Sequence, residues 1–124
     1  MFTITKEYHF SASHQLNGLA EDHPCSRLHG HNYTVIVKLQ NEILPKSGFV
    51  EDYHAIDAVM EPIIEKLDHY HLNDVIAEWV TKANPTAENL AYYIYLLVRS
   101  TDIGDSLTSI TVKETAKTAA EYSV

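Results

Sequence analysis

The sequence predicts an α+β domain in which an antiparallel β-sheet carries two helices on one face. Three observations predict it. Apolar and polar residues alternate with period two near both ends of the chain, and two central segments repeat with the helical period. The length of 124 residues suits a single domain, spanning 1–124. A chain of this size buries roughly two-thirds of its unfolded surface, so its core needs no disulfide.

Phe2 to Phe10 alternates and reads as the first strand. Residues 11 to 28 hold Ser, Asn, Gly, Asp and Pro at short intervals and read as one long loop, a feature that in a compact domain is usually functional. Asn32 to Gln40 is β-branched and gives the second strand, and Pro45-Lys46-Ser47-Gly48 gives a turn. From Asp52 the period changes. Ile56, Val59, Met60, Ile63, Ile64 and Leu67 share one helical face, and Pro62 should kink that helix because it removes a backbone hydrogen bond. Asp68 to Asn84 reads as polar and irregular, apart from Val75-Ile76 and Trp79-Val80. Thr86 is the expected N-cap of a second helix, with Glu88 favourable to its dipole and Leu90, Ile94, Leu97 and Val98 on its buried face. Leu107 to Thr115 alternates again, and Ala119 to Val124 is a short last strand. The expected order is β-β-α-α-β-β. One sheet face and its edges stay uncovered, which favours a homo-oligomer.

Nine Lys and Arg stand against seventeen Asp and Glu, a net charge of −8. That balance argues against a nucleic-acid or membrane partner, since both need a dominant basic face. It leaves room for an anionic small molecule held by a few local cations. No apolar run approaches the ~20 residues of a membrane span, and the N-terminal residues lack the apolar run of a signal peptide. The single cysteine has no internal partner, which agrees with a reducing, cytoplasmic compartment. In that compartment the Asn32-Tyr33-Thr34 sequon is a chance match.

The eight histidines are the unusual feature of the composition. His29 and His31 flank Gly30 at the entry to the second strand, where alternate residues point to one side and both imidazoles can reach one ion. The glycine leaves room for a ligand or a neighbouring backbone. If the first two strands pair, His14 joins them. Three histidines leave one tetrahedral position open, the pattern of a catalytic zinc. Spacing alone also admits surface or core histidines with no metal. Cys25 stands four residues before His29. It is a small buried residue, a fourth metal ligand, or a thiolate acting as base or nucleophile. Asp68-His69 supplies an acid that can orient and charge a histidine, or simply a polar helix end. Glu114 shares a strand face with Ile110 and Val112, which is costly for a carboxylate unless it is paired. It either ends the strand at the surface or binds paired N–H donors, such as the guanidine-like edge of a heterocycle.

Taken together, His14, Cys25-x-x-x-His29-Gly30-His31-Asn32-Tyr33, Leu67-Asp68-His69, Asn84-Pro85-Thr86-x-Glu88 and Lys113-Glu114-Thr115 resemble the 6-pyruvoyl-tetrahydropterin synthase family. The resemblance runs from about Phe2 to Tyr122, and five motifs in order make it specific. The short spacer before His-Gly-His, the overall length and the run from Leu67-Asp68-His69 to Leu72-Asn73-Asp74 resemble the bacterial 6-carboxy-5,6,7,8-tetrahydropterin synthase branch. The resemblance implies the tunnelling fold, in which trimers form a β-barrel and two trimers stack as a hexamer. It implies Zn2+ on His14, His29 and His31, with Cys25 as proton acceptor. Asp68 and His69 would complete the catalytic group from a neighbouring subunit. Glu114 would join that group and anchor the pterin ring, with Thr86 as a further substrate contact. The pattern departs at one point: Arg27 is the single nearby cation for a triphosphate, so the phosphate site is unassigned.

The implied reaction converts 7,8-dihydroneopterin triphosphate to 6-carboxytetrahydropterin, acetaldehyde and triphosphate, an early step towards queuosine and other deazaguanines. One alternative is 6-pyruvoyl-tetrahydropterin synthase activity on the same substrate, which keeps the side chain intact. The other is a non-catalytic zinc- or pterin-binding protein, which has no need of Cys25, Asp68 and His69 together.

Overall fold

A computed structural model describes residues 1–80 and 83–124. Four strands, β1 (Phe2–His14), β2 (His29–Asn41), β3 (Leu107–Thr115) and β4 (Thr118–Ser123), form one antiparallel sheet in the order β1-β2-β3-β4. Three helices, α1 (Tyr53–Leu67), α2 (Leu72–Trp79) and α3 (Ala87–Arg99), lie between β2 and β3 in the chain. The α+β class and the antiparallel sheet are as expected, but the expectation of two helices is corrected to three among the described residues. Leu72, Val75 and Ile76 are buried in α2, within the stretch read as irregular. Thr81 and Lys82, at the end of that stretch, lie outside the described residues.

The sheet has one apolar and one polar face because side chains alternate along each strand. Phe10 and Ala12 of β1, Tyr33, Val35, Val37 and Leu39 of β2, and Ile110 and Val112 of β3 form the buried face. Ile56, Met60 and Leu67 of α1 and Leu90, Ile94 and Val98 of α3 complete the core. Asp52 caps α1 by accepting the His54 N–H at 2.8 Å, and Thr86 caps α3 by accepting the Asn89 N–H at 3.1 Å. Helix α1 runs through Pro62 to Leu67. Both Pro62 and Ala58, whose carbonyl loses its partner, are exposed, so water can satisfy that carbonyl. Asp57 fastens α1 to β1, accepting from the Tyr8 hydroxyl at 2.5 Å and pairing with Lys6 at 2.6 Å.

The first strand extends four residues further than its alternation suggested, so residues 11 to 14 belong to the sheet and not to the loop. The register sets His14 opposite His29 and Ala12 opposite His31. Beyond β1, His69 to His71 runs beside Ser11 to Ser13, with the His69 N–H donating to the Ser11 carbonyl at 2.6 Å and the Ser13 N–H to the Tyr70 carbonyl at 3.2 Å. That short parallel companion covers the end of β1 nearest the histidines.

Gly104 is buried in the turn from α3 to β3, where a Cβ would overlap the Arg99 carbonyl. Gly104→Ala is therefore expected to lower stability by about 1–3 kcal/mol, the usual cost of overpacking. Denaturant unfolding checks this, with an unchanged midpoint as the contrary result.

Candidate metal centre and active site

The paired strands present three imidazoles on the helix-facing side of the sheet. His14 shares its face with Phe10 and Ala12, and His29 and His31 share theirs with Tyr33 and Val35. Each of the three offers one ring nitrogen within 4.8 Å of the others. His14 is buried, and His29 and His31 are half-buried. Gly30 makes the approach possible on the opposite face: a Cβ there would stand 3.2 Å from the Ala12 carbonyl oxygen. The close neighbour is thus backbone, one of the two options the glycine left open.

Hydrogen bonding fixes which nitrogens face inward. His14 Nδ1–H donates to the Pro85 carbonyl and His29 Nδ1–H to the Arg27 carbonyl, each at 2.8 Å. A carbonyl only accepts, so in the neutral rings both Nε2 atoms present lone pairs. These two Nε2 atoms lie 2.8 Å apart. His31 Nε2 is buried with no hydrogen-bond partner. Lone pairs pressed together and an orphaned buried nitrogen are each costly, and one cation between the rings relieves both. Burial first, then the charge of His29 and His31, push the His14 pKa down, against the opposing pull of the Pro85 carbonyl and Glu114. The neutral imidazole so favoured is the form that binds a metal. The residues therefore fit a cation, and His14, His29 and His31 could hold it.

Cys25 sits in a single 3-10 turn, Pro24–Ser26, half-buried and free. It is outside the group of ligating atoms formed by the three histidines. Asp68 ends α1, and its carboxylate accepts the Ser11 N–H at 2.9 Å and lies 3.0 Å from His69 Nδ1. The Ser11 N–H foremost, with the His69 hydrogen bond, holds the carboxyl below the usual carboxylate range. His69 has a positive φ of 63°, uncommon for a residue other than glycine, and its side chain is 82% exposed. With Ser11, Ser13, His31, Asn32 and His71 it lines an open cleft of about 500 Å³. The structure thus joins Asp68 to His69 at the β1 edge. Among the described residues no hydrogen bond links either to Cys25.

Glu114 lies on β3 with one carboxylate oxygen 4.0 Å from His31 Nε2. It is part-exposed, in a cleft of about 440 Å³ between the start of α3 and β4 that also holds Glu88 and Glu121. The Thr86 hydroxyl oxygen is engaged as the cap of α3. Arg27 is exposed beside the cysteine turn. Sequence reasoning missed Pro85 and Arg27 as carbonyl partners of the histidines, since a backbone acceptor has no residue signature. It also missed His71, whose Nδ1 lies 2.9 Å from the Ser13 hydroxyl. The His-Tyr-His run was the available signal for it.

Comparison with known proteins matches residues 3–124 to the family described as 6-pyruvoyl tetrahydropterin synthase. A 6-carboxy-5,6,7,8-tetrahydropterin synthase of Synechocystis is 33% identical, over 98% of this chain and 93% of its own length. A protein of the same description from Haemophilus influenzae is 29% identical, over 98% of this chain and 99% of its own. The solved structure of Caenorhabditis elegans 6-pyruvoyl tetrahydropterin synthase superposes with a TM-score of 0.87 at 30% identity, covering 99% of this chain and 95% of that one. With a match from Thr3 to the last residue and a fold shared to this degree, the chain belongs to the 6-pyruvoyl tetrahydropterin synthase family.

Proposed function

We propose that the protein is a zinc-dependent 6-carboxy-5,6,7,8-tetrahydropterin synthase. It converts 7,8-dihydroneopterin triphosphate and water to 6-carboxytetrahydropterin, acetaldehyde and triphosphate on the route to queuosine and other deazaguanines. The observation that carries the reading is the convergence of three imidazole nitrogens, two with their tautomer set by a backbone carbonyl and one buried without a partner. Two relatives aligned along nearly the whole chain bear the 6-carboxy name, and the Cys25-x-x-x-His29 spacing supports the same branch.

His14, His29 and His31 would hold the zinc, which when bound would supply Lewis-acid polarisation of hydroxyl oxygens. Cys25 thiolate removes a carbon-bound proton, and His69, oriented by Asp68, shuttles it. Glu114 accepts from a pterin ring N–H and its adjacent amino group, a pairing suited to two carboxylate oxygens. Thr86 contributes from the start of α3. Asp68 and His69 stand at the β1 edge, which favours a site completed by a neighbouring subunit. The outer edge of β4, with no strand partner among the described residues, favours closure of the sheet into a barrel, in a homohexamer built as a dimer of trimers.

A second reading, 6-pyruvoyl-tetrahydropterin synthase activity, is favoured by the name of the Caenorhabditis elegans structure. Incubation with the triphosphate substrate separates the two. Acetaldehyde and the mass of the carboxypterin support the first reading, whereas an intact three-carbon side chain overturns it.

His29→Ala and His31→Ala are each expected to abolish both bound zinc and turnover, with elemental analysis of the purified variants as the check. Cys25→Ala should retain zinc and lose turnover; loss of metal in that variant would make the cysteine a ligand. Glu114→Gln places an amino group against the donors of the pterin edge. It is expected to weaken pterin binding about 10-fold, or about 1.4 kcal/mol, at unchanged zinc content. Calorimetry with a non-reacting pterin tests this, and equal affinity would reduce Glu114 to a strand terminus.

A further inference from the structure

The chain that leaves His14 is held by two asparagine side chains, each gripping one backbone residue by both its polar groups. Asn73, on α2, accepts the Gln15 N–H at 2.9 Å and donates to the Gln15 carbonyl at 2.7 Å. Asn84, ahead of α3, accepts the Asn17 N–H at 2.8 Å and donates to the Asn17 carbonyl at 2.9 Å. Each amide orientation is unambiguous, because a backbone N–H only donates and a carbonyl only accepts. Two bonds from one side chain to one residue fix direction as well as distance, as a strand partner does.

Both asparagines stand on firm supports. Asn73 follows Leu72, which is fully buried, and the Asn84 carbonyl accepts from Asn89 Nδ2 of α3 at 2.8 Å. The segment they grip in turn positions the cysteine turn. Between the two gripped residues, Leu16 N–H donates to the Cys25 carbonyl at 2.9 Å. The Gln15 side-chain amide donates to the Ser26 carbonyl at 2.8 Å. Cys25 is therefore fastened at its own carbonyl and at the next one to residues that Asn73 and Asn84 hold. The metal ligands are held by other bonds, His14 at the Pro85 carbonyl and His29 at the Arg27 carbonyl. Pro85 and Arg27 follow Asn84 and Ser26 in the chain, so zinc content is the control on any effect through them.

We infer that Asn73 and Asn84 are positioning residues that set the place of Cys25 through the Gln15–Asn17 backbone, without acting on the metal. The inference rests on the role proposed above for Cys25 in proton abstraction. Each bond lies at the surface and is weak alone, but a thiolate displaced from its proton loses rate steeply: ~1 Å can cost ~10²-fold.

The test uses Asn73→Asp, Asn84→Asp and their combination in the zinc-loaded protein. Aspartate has the shape of asparagine and still accepts the N–H, but it sets an oxygen against the carbonyl, so a packing role alone would leave these variants unchanged. The expected result is an about 10-fold or greater fall in kcat with little change in KM, as for a displaced reacting group. Alkylation of Cys25 by iodoacetamide should quicken as the turn loosens, with zinc content unchanged. Wild-type alkylation and kcat in the double variant would overturn the inference, as would loss of zinc. Faster alkylation at unchanged kcat would support the positioning of Cys25 and overturn its role as the base, so the two readings fail separately.

Discussion

The pairing of β1 with β2 in a single register is the constraint on which the site depends. His14 faces His29 across that pair, and His31 follows His29 on the same side. A slip of one residue would turn His29 and His31 to the polar face and expose the apolar residues of β2 with them. Tyr33, Val35, Val37 and Leu39, all essentially inaccessible, make such a slip prohibitive. The histidine cluster therefore takes its geometry from hydrophobic burial several residues away, not from the histidines themselves.

Polar groups gathered at the end of a core oppose folding unless something satisfies them. Here the protein supplies partners for only one side of the ring cluster: Pro85 and Arg27 carbonyls take the Nδ1 protons and aim the Nε2 atoms inward. Binding a cation then stabilises the folded state in proportion to its affinity and concentration. The candidate site residues are held in place by different means. The histidines belong to strands, where packing fixes them, whereas Cys25 belongs to a short turn held by one backbone bond from Leu16 and a side-chain bond from Gln15 to the next carbonyl. Asp68 and His69 belong to a third element, beside the end of β1 at the sheet edge.

Much of this was legible in the sequence, for physical reasons that differ by element. The sheet was readable because alternation is local, and Thr86 and Glu88 announce the start of α3. The end of β1 was not, since Ser11-Ala12-Ser13-His14 has weak apolar contrast and is held partly by the backbone of residues 69 to 71. Helix α2 was hidden by its eight-residue length and by His71, which caps it without a side-chain hydrogen bond. Its residues Leu72, Val75, Ile76 and Trp79 do carry the helical period. The His29-Gly30-His31 motif and His14 were visible as residue types. The two asparagine grips were not, because they join positions 58 and 67 residues apart along the chain. Long-range polar pairing leaves no local period to read.

The central claim is that three imidazoles hold the metal while the neighbouring thiol stays free for chemistry. X-ray absorption at the zinc edge of the purified protein tests this most directly, because sulfur and nitrogen neighbours differ in distance and in scattering strength. The account predicts nitrogen and oxygen neighbours alone at about 2.0–2.1 Å, with the outer-shell pattern of imidazole rings. A sulfur neighbour at about 2.3 Å would contradict it, since Cys25 is the chain's single cysteine and would then be bound to the metal.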